Sequence, residues 1–291
     1  MIRRGVSKGR YLAPWHRERL ELERPGEWWE ALASLRGKPA SYHCVSRVVN
    51  REFVLKREEK EKFVALMRCY ERFCQVRVLT FCVMTNHFHS LVEVPAAPED
   101  GGASWTDEEL LAHLSGLYSE RQMGELRWEL GHYRENKMED AAEAFRRRFF
   151  LRMWDLSAYM KLLKQCFTQW FNKKHEREGT LWERRFKSVL VEDGHAAQRV
   201  ATYVDLNPVR AGIVEDPKDY RWSGYGEAVA GRDAARDGLR LVLCEKLACM
   251  QGETKAAGQV ASWREVVRLY RLVPVSYTHL TLPTTSDLCC A

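Results

Sequence analysis

Residues 83–94 read VMTNHFHSLVEV, an apolar and partly β-branched run with two imidazoles inside it. Such a run predicts a buried strand. In a strand, residues i and i+2 point to the same face. His87 and His89 therefore project together, and Phe88 enters the opposite layer. Any sheet built on this strand needs one face apolar enough for Phe88 and another that satisfies two imidazoles. Two such rings can share one divalent cation, with a third, oxygen-bearing ligand from elsewhere in the chain. The bland alternative is a pair of half-buried histidines hydrogen-bonded within the sheet, and the spacing alone leaves both readings open.

The surrounding sequence predicts the rest of that sheet. Residues 39–49 alternate roughly as a strand, and REFVL continues it past a bend at Asn50. In KREEKEKFVALMRCYERFCQ, Phe63, Leu66, Met67, Tyr70, Phe73 and Cys74 recur at helical spacing, behind a charged opening expected to be a solvated first turn. VRVLTFCVMT is a second strand, joined to the histidine strand by a tight hairpin in which Asn86 either makes the turn or orients the site. Residues 105–153 are charged and helix-prone, and predict an inserted helical hairpin. A longer helix follows, with Asp155 as N-cap, Gly179 as terminator, and Tyr159, Leu163, Phe167 and Phe171 on its apolar face. RFKSVLVE is a further strand, and GHAAQRVATYVDL a short helix that Pro208 ends. The order strand, helix, strand, strand, helix, strand, helix predicts an α+β fold. It is a split βαβ unit whose antiparallel sheet has helices on one face, plus the helical insertion and a helical C-terminal appendage at 229–273.

Forty-six basic against 40 acidic residues leave a net charge of +6, which suits an anionic partner but also an ordinary soluble surface. Residues 1–38 form a basic lead with no secretory pattern, no apolar run reaches membrane-spanning length, and a cytoplasmic protein is expected. Nine scattered cysteines without paired C-x-x-C spacing argue against a disulfide scaffold or structural zinc. Residues 274–291, PVSYTHLTLPTTSDLCCA, abruptly lose charge and resemble the in-frame translation of a sequencing adapter. They are expected to be a non-native tail, with the native C-terminus missing.

Several blocks in order resemble one family. CVMTNHFHSLVEVP is similar to the histidine–hydrophobic–histidine signature of the single-tyrosine insertion-sequence transposases, specifically the REP-associated tyrosine transposase group. YHCVSRVVNREFVL resembles its first strand, and GTLWERRFKSVLVE and YVDLNPVRAGIVEDPKDYRWSGY its closing blocks. The likeness covers about residues 40–95 and 155–228, within a catalytic domain expected at 39–228, and is looser across the insertion at about 96–154. It implies a ferredoxin-like fold in which His87 and His89 hold a divalent metal, magnesium or manganese. It also implies that a tyrosine cuts single-stranded DNA to leave a 5′-phosphotyrosine, beside a DNA hairpin. Family members often work as dimers, so a homodimer is implied as well, on DNA in the nucleoid.

At the position taken as the family's nucleophile, in LWERRFKS, this chain has Phe186. Phenylalanine has no hydroxyl, so three alternatives stay open. Tyr203, on the helix after the closing strand, takes the role; or the metal site hydrolyses DNA with water; or the protein is a catalytically inactive DNA-binding descendant. Arg184, Arg185 and Lys187 beside Trp182 and Phe186 read either as a basic and aromatic stretch suited to single-stranded DNA or as a surface strand with core aromatics. Lys173 and Lys174 either add phosphate contacts or only complement the helix C-terminus.

Overall fold

A computed structural model describes residues 36–192, 194–251, 263–268 and 270. All but the end of the basic lead, and the whole tail at 274–291, lie outside the described residues. Four strands, β1 (Ala40–Arg47), β2 (Arg77–Val83), β3 (His87–Val94) and β4 (Lys187–Val191), form one antiparallel sheet in the order β2-β3-β1-β4. Helix α1 (Arg57–Phe73) connects β1 to β2, and α5 (Leu156–Lys174) precedes β4. This is the expected ferredoxin-like arrangement, with the middle of the sheet built from β3 and β1.

Alternation along the strands divides the molecule into two layers. Tyr42 and Cys44 of β1 and Phe88 and Val92 of β3 point to one side, where they meet Phe63, Met67 and Phe73 of α1 and Leu163, Phe167 and Phe171 of α5. The Phe63 ring lies 4.6 Å from that of Phe88, tilted to it, and 5.1 Å from that of Phe167, edge-on. Each fully buried side chain of this size contributes about 1.5–3 kcal/mol. The opposite side carries His43, His87, His89 and Leu91. There α6 (Gly194–Asp205), the short α8 (Gly224–Val229) and α9 (Asp233–Gln251) pack on β2 and β3. The α1–α5 layer is the single helical face read from the sequence, and these later helices cover part of the second face as well. They sit unusually close. A Cβ at Gly238 of α9 would lie 2.4 Å from the Leu79 carbonyl oxygen, and one at Gly224 would lie 2.1 Å from Thr80 Oγ1. Glycine at these two positions lets the helices rest directly on β2.

Several local expectations need correction. REFVL is not strand. The chain leaves β1 through a 3-10 turn, Val49–Arg51, with Asn50 at φ 56° and Arg51 at φ 59°. The charged opening of α1 is not wholly solvated, because Glu59 and Lys60 are buried beside specific partners. Lys174 Nζ stands 2.6 Å from Glu59, and Lys60 Nζ donates to the Tyr220 hydroxyl at 2.8 Å. The insertion is three helices rather than a hairpin: α2 (Asp107–Ser115), α3 (Glu120–Glu135) and α4 (Glu139–Phe150). Thr106 and Ser119 cap the first two, and Arg134 and Arg146 both reach Asp107, whose carboxyl the Arg134 hydrogen bond holds below its usual range. Asp155 caps α5 as expected, but the helix ends at Lys174, and Glu176 at φ 50° turns the chain before Gly179. Pro208 opens a further helical turn, α7 (Asn207–Arg210), rather than only ending α6.

Asp205, at the end of α6, knots the second layer together. Its carboxylate accepts from Thr80 Oγ1 at 2.9 Å, from the Tyr225 backbone N–H at 3.1 Å and from the Tyr270 hydroxyl. Burial pushes its carboxyl up from 3.8 to about 6. A raised carboxyl pKa favours the folded state while the group is protonated. That stabilisation is complete below about pH 4 and is lost as pH rises through about 6. Asp205→Asn keeps the hydrogen-bonding shape without the charge. It is expected to leave stability unchanged near pH 4 and to raise it at pH 8 by up to about 3 kcal/mol, as urea denaturation at the two pH values would show.

Candidate metal and nucleophile site

The β2–β3 hairpin turns at Thr85 and Asn86, so His87 is the first residue of β3, and His89 sits one pleat further in. Their rings are 5.1 Å apart, nearly perpendicular, and on the same face. Hydrogen bonds fix how each ring is presented. Asn86 Nδ2 donates to the Arg51 carbonyl at 3.1 Å, which turns Asn86 Oδ1 toward His87 Nδ1 at 2.6 Å. An amide oxygen only accepts, so His87 carries its proton on Nδ1 and keeps the Nε2 lone pair. His89 Nδ1 is 3.1 Å from His43 Nε2, and the two rings stack at 5.3 Å and 17°. His89 Nε2 is buried and has no hydrogen-bond partner.

A buried nitrogen left in this state costs about 1–3 kcal/mol unless something binds it. All three imidazoles are held neutral. Burial lowers His43 to about 4, burial and then Arg47 lower His87 to about 4, and burial followed by His43, His87 and Arg47 holds His89 well below the usual imidazole value. Neutral imidazole is the form that ligates a metal. When His89 donates from Nδ1 to His43 Nε2, as His87 donates to Asn86, both Nε2 lone pairs fit a divalent cation, with Asn86 and His43 as the outer partners that orient the rings. Among the described residues no group of three His, Cys, Asp or Glu side chains converges to complete a cage. The remaining ligands would be other oxygens, such as those of a bound phosphate or water.

Helix α6 brings one more group to this face. The Tyr203 ring is 5.7 Å from His89 and 6.1 Å from His43, edge-on to both. Arg210, two turns later, sets its guanidinium 4.9 Å from the centre of the Tyr203 ring. Tyr203 is half-buried and Arg210 exposed, so the phenol lies near solvent beside a fixed positive charge. Phe186, in contrast, is buried in the α1–α5 layer, on the far side of the sheet from the histidines.

The other sequence-derived residues scatter. Lys187 is exposed and lies on the histidine face, in register with Val45, which in turn faces His89. Two strand spacings separate Lys187 from His89, about 10 Å. Arg184 and Arg185 are exposed just before β4, and Lys173 is exposed at the end of α5. Two residues do not suit the role expected of them. Trp182 is buried among Phe63, Phe88 and Phe167, so its ring is not a stacking platform. Lys174 is committed to Glu58 at 2.7 Å and Glu59 at 2.6 Å. His43 escaped the sequence reading. Its only signal was its place in the alternation Ser41, His43, Val45, Arg47, which puts it on the face away from Tyr42 and Cys44.

Comparisons with known proteins bear on the segment that carries the histidine strand. Residues 38–99 match the family model of IS200-like transposases, a segment holding β1, α1, β2 and the histidine strand. A Haemophilus influenzae protein described as a REP-associated tyrosine transposase is 36% identical over 76 residues, which are 23% of this chain and 42% of that protein. The match thus spans about two fifths of that relative's length. A solved structure of a REP-associated tyrosine transposase bound to a REP hairpin aligns with 67% of this chain and 81% of its own, at 14% identity and a TM-score of 0.43. The chain resembles the REP-associated tyrosine transposases, as its ordered motifs indicated, and the segment matching the family model includes the paired histidines.

His43 tests how the metal site is held. His43→Ala removes the partner of His89 Nδ1 and is expected to weaken Mn²⁺ binding by about 10- to 100-fold in titration calorimetry, without DNA present. An unchanged affinity would show that His43 only fills space.

Proposed function

We propose that the protein cuts and rejoins single-stranded DNA beside a hairpin, as a transposase, with Tyr203 as nucleophile and a divalent cation, Mg²⁺ or Mn²⁺, held by His87 and His89. The observation that carries this reading is the meeting of Tyr203 with His43 and His89 on one face of the sheet. When bound, the cation would polarise the scissile phosphate and offset its charge. The Tyr203 hydroxyl attacks phosphorus and gives up its proton to solvent. The bond from phosphorus to the 3′ oxygen breaks, and that oxygen takes up a proton. The products are a 5′-phosphotyrosine and a free 3′-hydroxyl. A second 3′-hydroxyl reverses the step and restores the phenol, so no nucleotide cofactor is needed.

The chain's own residues position the reactants. Arg210 holds the Tyr203 ring from one side and adds positive charge where a phosphate would approach. Lys187, with Arg184 and Arg185 nearby, gives the same end of the sheet a basic edge for the strand's backbone. Phe186 counts less against catalysis than its sequence position suggested, because a hydroxyl at that site would point into the opposite layer. Among the described residues no helix is long and apolar enough to cross a membrane, which suits a protein working on DNA in the cytoplasm. A homodimer, common in the family, fits this reading, and light scattering of the full chain measures it.

The test is a labelled hairpin with single-stranded flanks, taken from DNA beside the gene and incubated with the full chain and Mn²⁺. We expect a covalent protein–DNA band on a denaturing gel. It should disappear in Tyr203→Phe and in the His87→Ala, His89→Ala double variant. Cleavage without an adduct would replace this reading with hydrolysis by water. Tight hairpin binding with neither product would replace it with a DNA-binding descendant.

A further inference from the structure

The loop between β1 and α1 supplies no reacting group to the chemistry above, yet it is bound to the histidine hairpin. The Val48 N–H donates to the Asn86 carbonyl at 2.8 Å, and the Leu55 N–H donates to the Thr85 carbonyl at 2.9 Å. Between these ties, Asn86 Nδ2 donates to the Arg51 carbonyl at 3.1 Å. The same Asn86 side chain orients His87 through its oxygen. Asn50 and Arg51 both take left-handed backbone conformations, which most residues avoid and which the surrounding bonds must hold in place. The loop is therefore a stiff extension of the metal-binding turn.

At its crest stands Phe53, 72% exposed. A single exposed apolar side chain is ordinary on a protein surface. The placement of this one is not. Trp128 is as exposed, but it stacks on His132 in the inserted helices, which no described contact joins to the histidine turn. Phe53 lies two residues from Arg51 and two from Leu55, the residues tied to Asn86 and Thr85. Exposed Arg51, Lys56 and Arg57 flank it, with Glu52 and Glu58 the acidic neighbours. A flat ring, presented to water by a stiffly held loop among basic side chains, is what an unpaired base stacks on.

We infer that Phe53 is a base-stacking residue that seats an unpaired nucleotide of the single-stranded flank close to the scissile phosphate. This rests on the transposase-like reading of the site. It adds a determinant of where the cut falls, because the base fixed by Phe53 sets the register of the strand over His87. The ring is a positioning group and takes no part in bond making.

The test measures binding rather than cutting. Affinity of the full chain is read by fluorescence anisotropy for a labelled hairpin with a single-stranded flank, and for the same hairpin trimmed of it. Phe53→Ala is expected to weaken binding of the flanked hairpin by about 5- to 100-fold and to leave the trimmed one unchanged. Phe53→Trp should restore the flanked affinity. Replacing one flank nucleotide at a time by an abasic site should reveal a position that matters to the wild type and no longer matters to Phe53→Ala. Equal affinity of Phe53→Ala and wild type for the flanked hairpin overturns the inference, as does an equal loss on both DNAs. A wild type that ignores the flank also overturns it. The covalent-adduct assay judges the nucleophile separately, so an adduct with no Phe53 effect would leave the function standing and remove only this residue.

Discussion

The pleat of β3 is the constraint on which the rest depends. Because successive side chains alternate, one eight-residue strand sends Phe88 into the α1–α5 core and His87 and His89 to the other side. A slip of one residue would bury both imidazoles among Phe63 and Phe167 and expose Phe88. Neighbours on both sides hold the register. β1 pairs Arg47 with His87 and Val45 with His89, and β2 pairs Cys82 with His89. The packed layer therefore fixes the geometry of the polar one. Phenylalanine rings on one face set the imidazoles on the other.

The polar layer is assembled from pieces far apart in sequence. His43 comes from the first strand, His87 and His89 from the third, and Tyr203 and Arg210 from helices after the fourth. What brings α6 to this place is its own buried seam, Ala197, Ala201, Val204 and Asp205, set against β2 and β3. Asp205 is the polar knot in that seam, and it lies two residues from Tyr203. The phenol is thus placed by a buried hydrogen-bond cluster and by glycine-permitted contact of α8 and α9 with β2. An ionised carboxylate in that position costs stability at neutral pH. The protein retains a group that orients α6 at the expense of some resistance to unfolding.

Periodicity made the sheet and its two main helices legible. The stripe Phe63, Met67, Tyr70 and Phe73 is the buried face of α1, and Tyr159, Leu163, Phe167 and Phe171 that of α5. What misled were residues whose local character differs from their tertiary use. Glu59 and Lys60 read as solvated charge, but each meets a partner more than a hundred residues away. Trp182 and Lys174 read as nucleic-acid contacts, but one fills the core and the other is paired with carboxylates. Composition signals that a residue can bind something. It does not say whether another part of the same chain has already bound it.

The sequence by itself determined the strand and helix order, the shared face of His87 and His89, and the family likeness, since all three follow from spacing along a short stretch. Only the tertiary structure decided that His43 backs His89, that Phe186 lies on the far side of the sheet from the histidines, and that Tyr203 lies on their side. Alternation ranks residues within a strand, but it cannot tell which of two faces a later helix will cover. That choice was made by packing, where Ala201, Leu239 and Gly238 let helices lie close against β2, and it carried Tyr203 to the histidines.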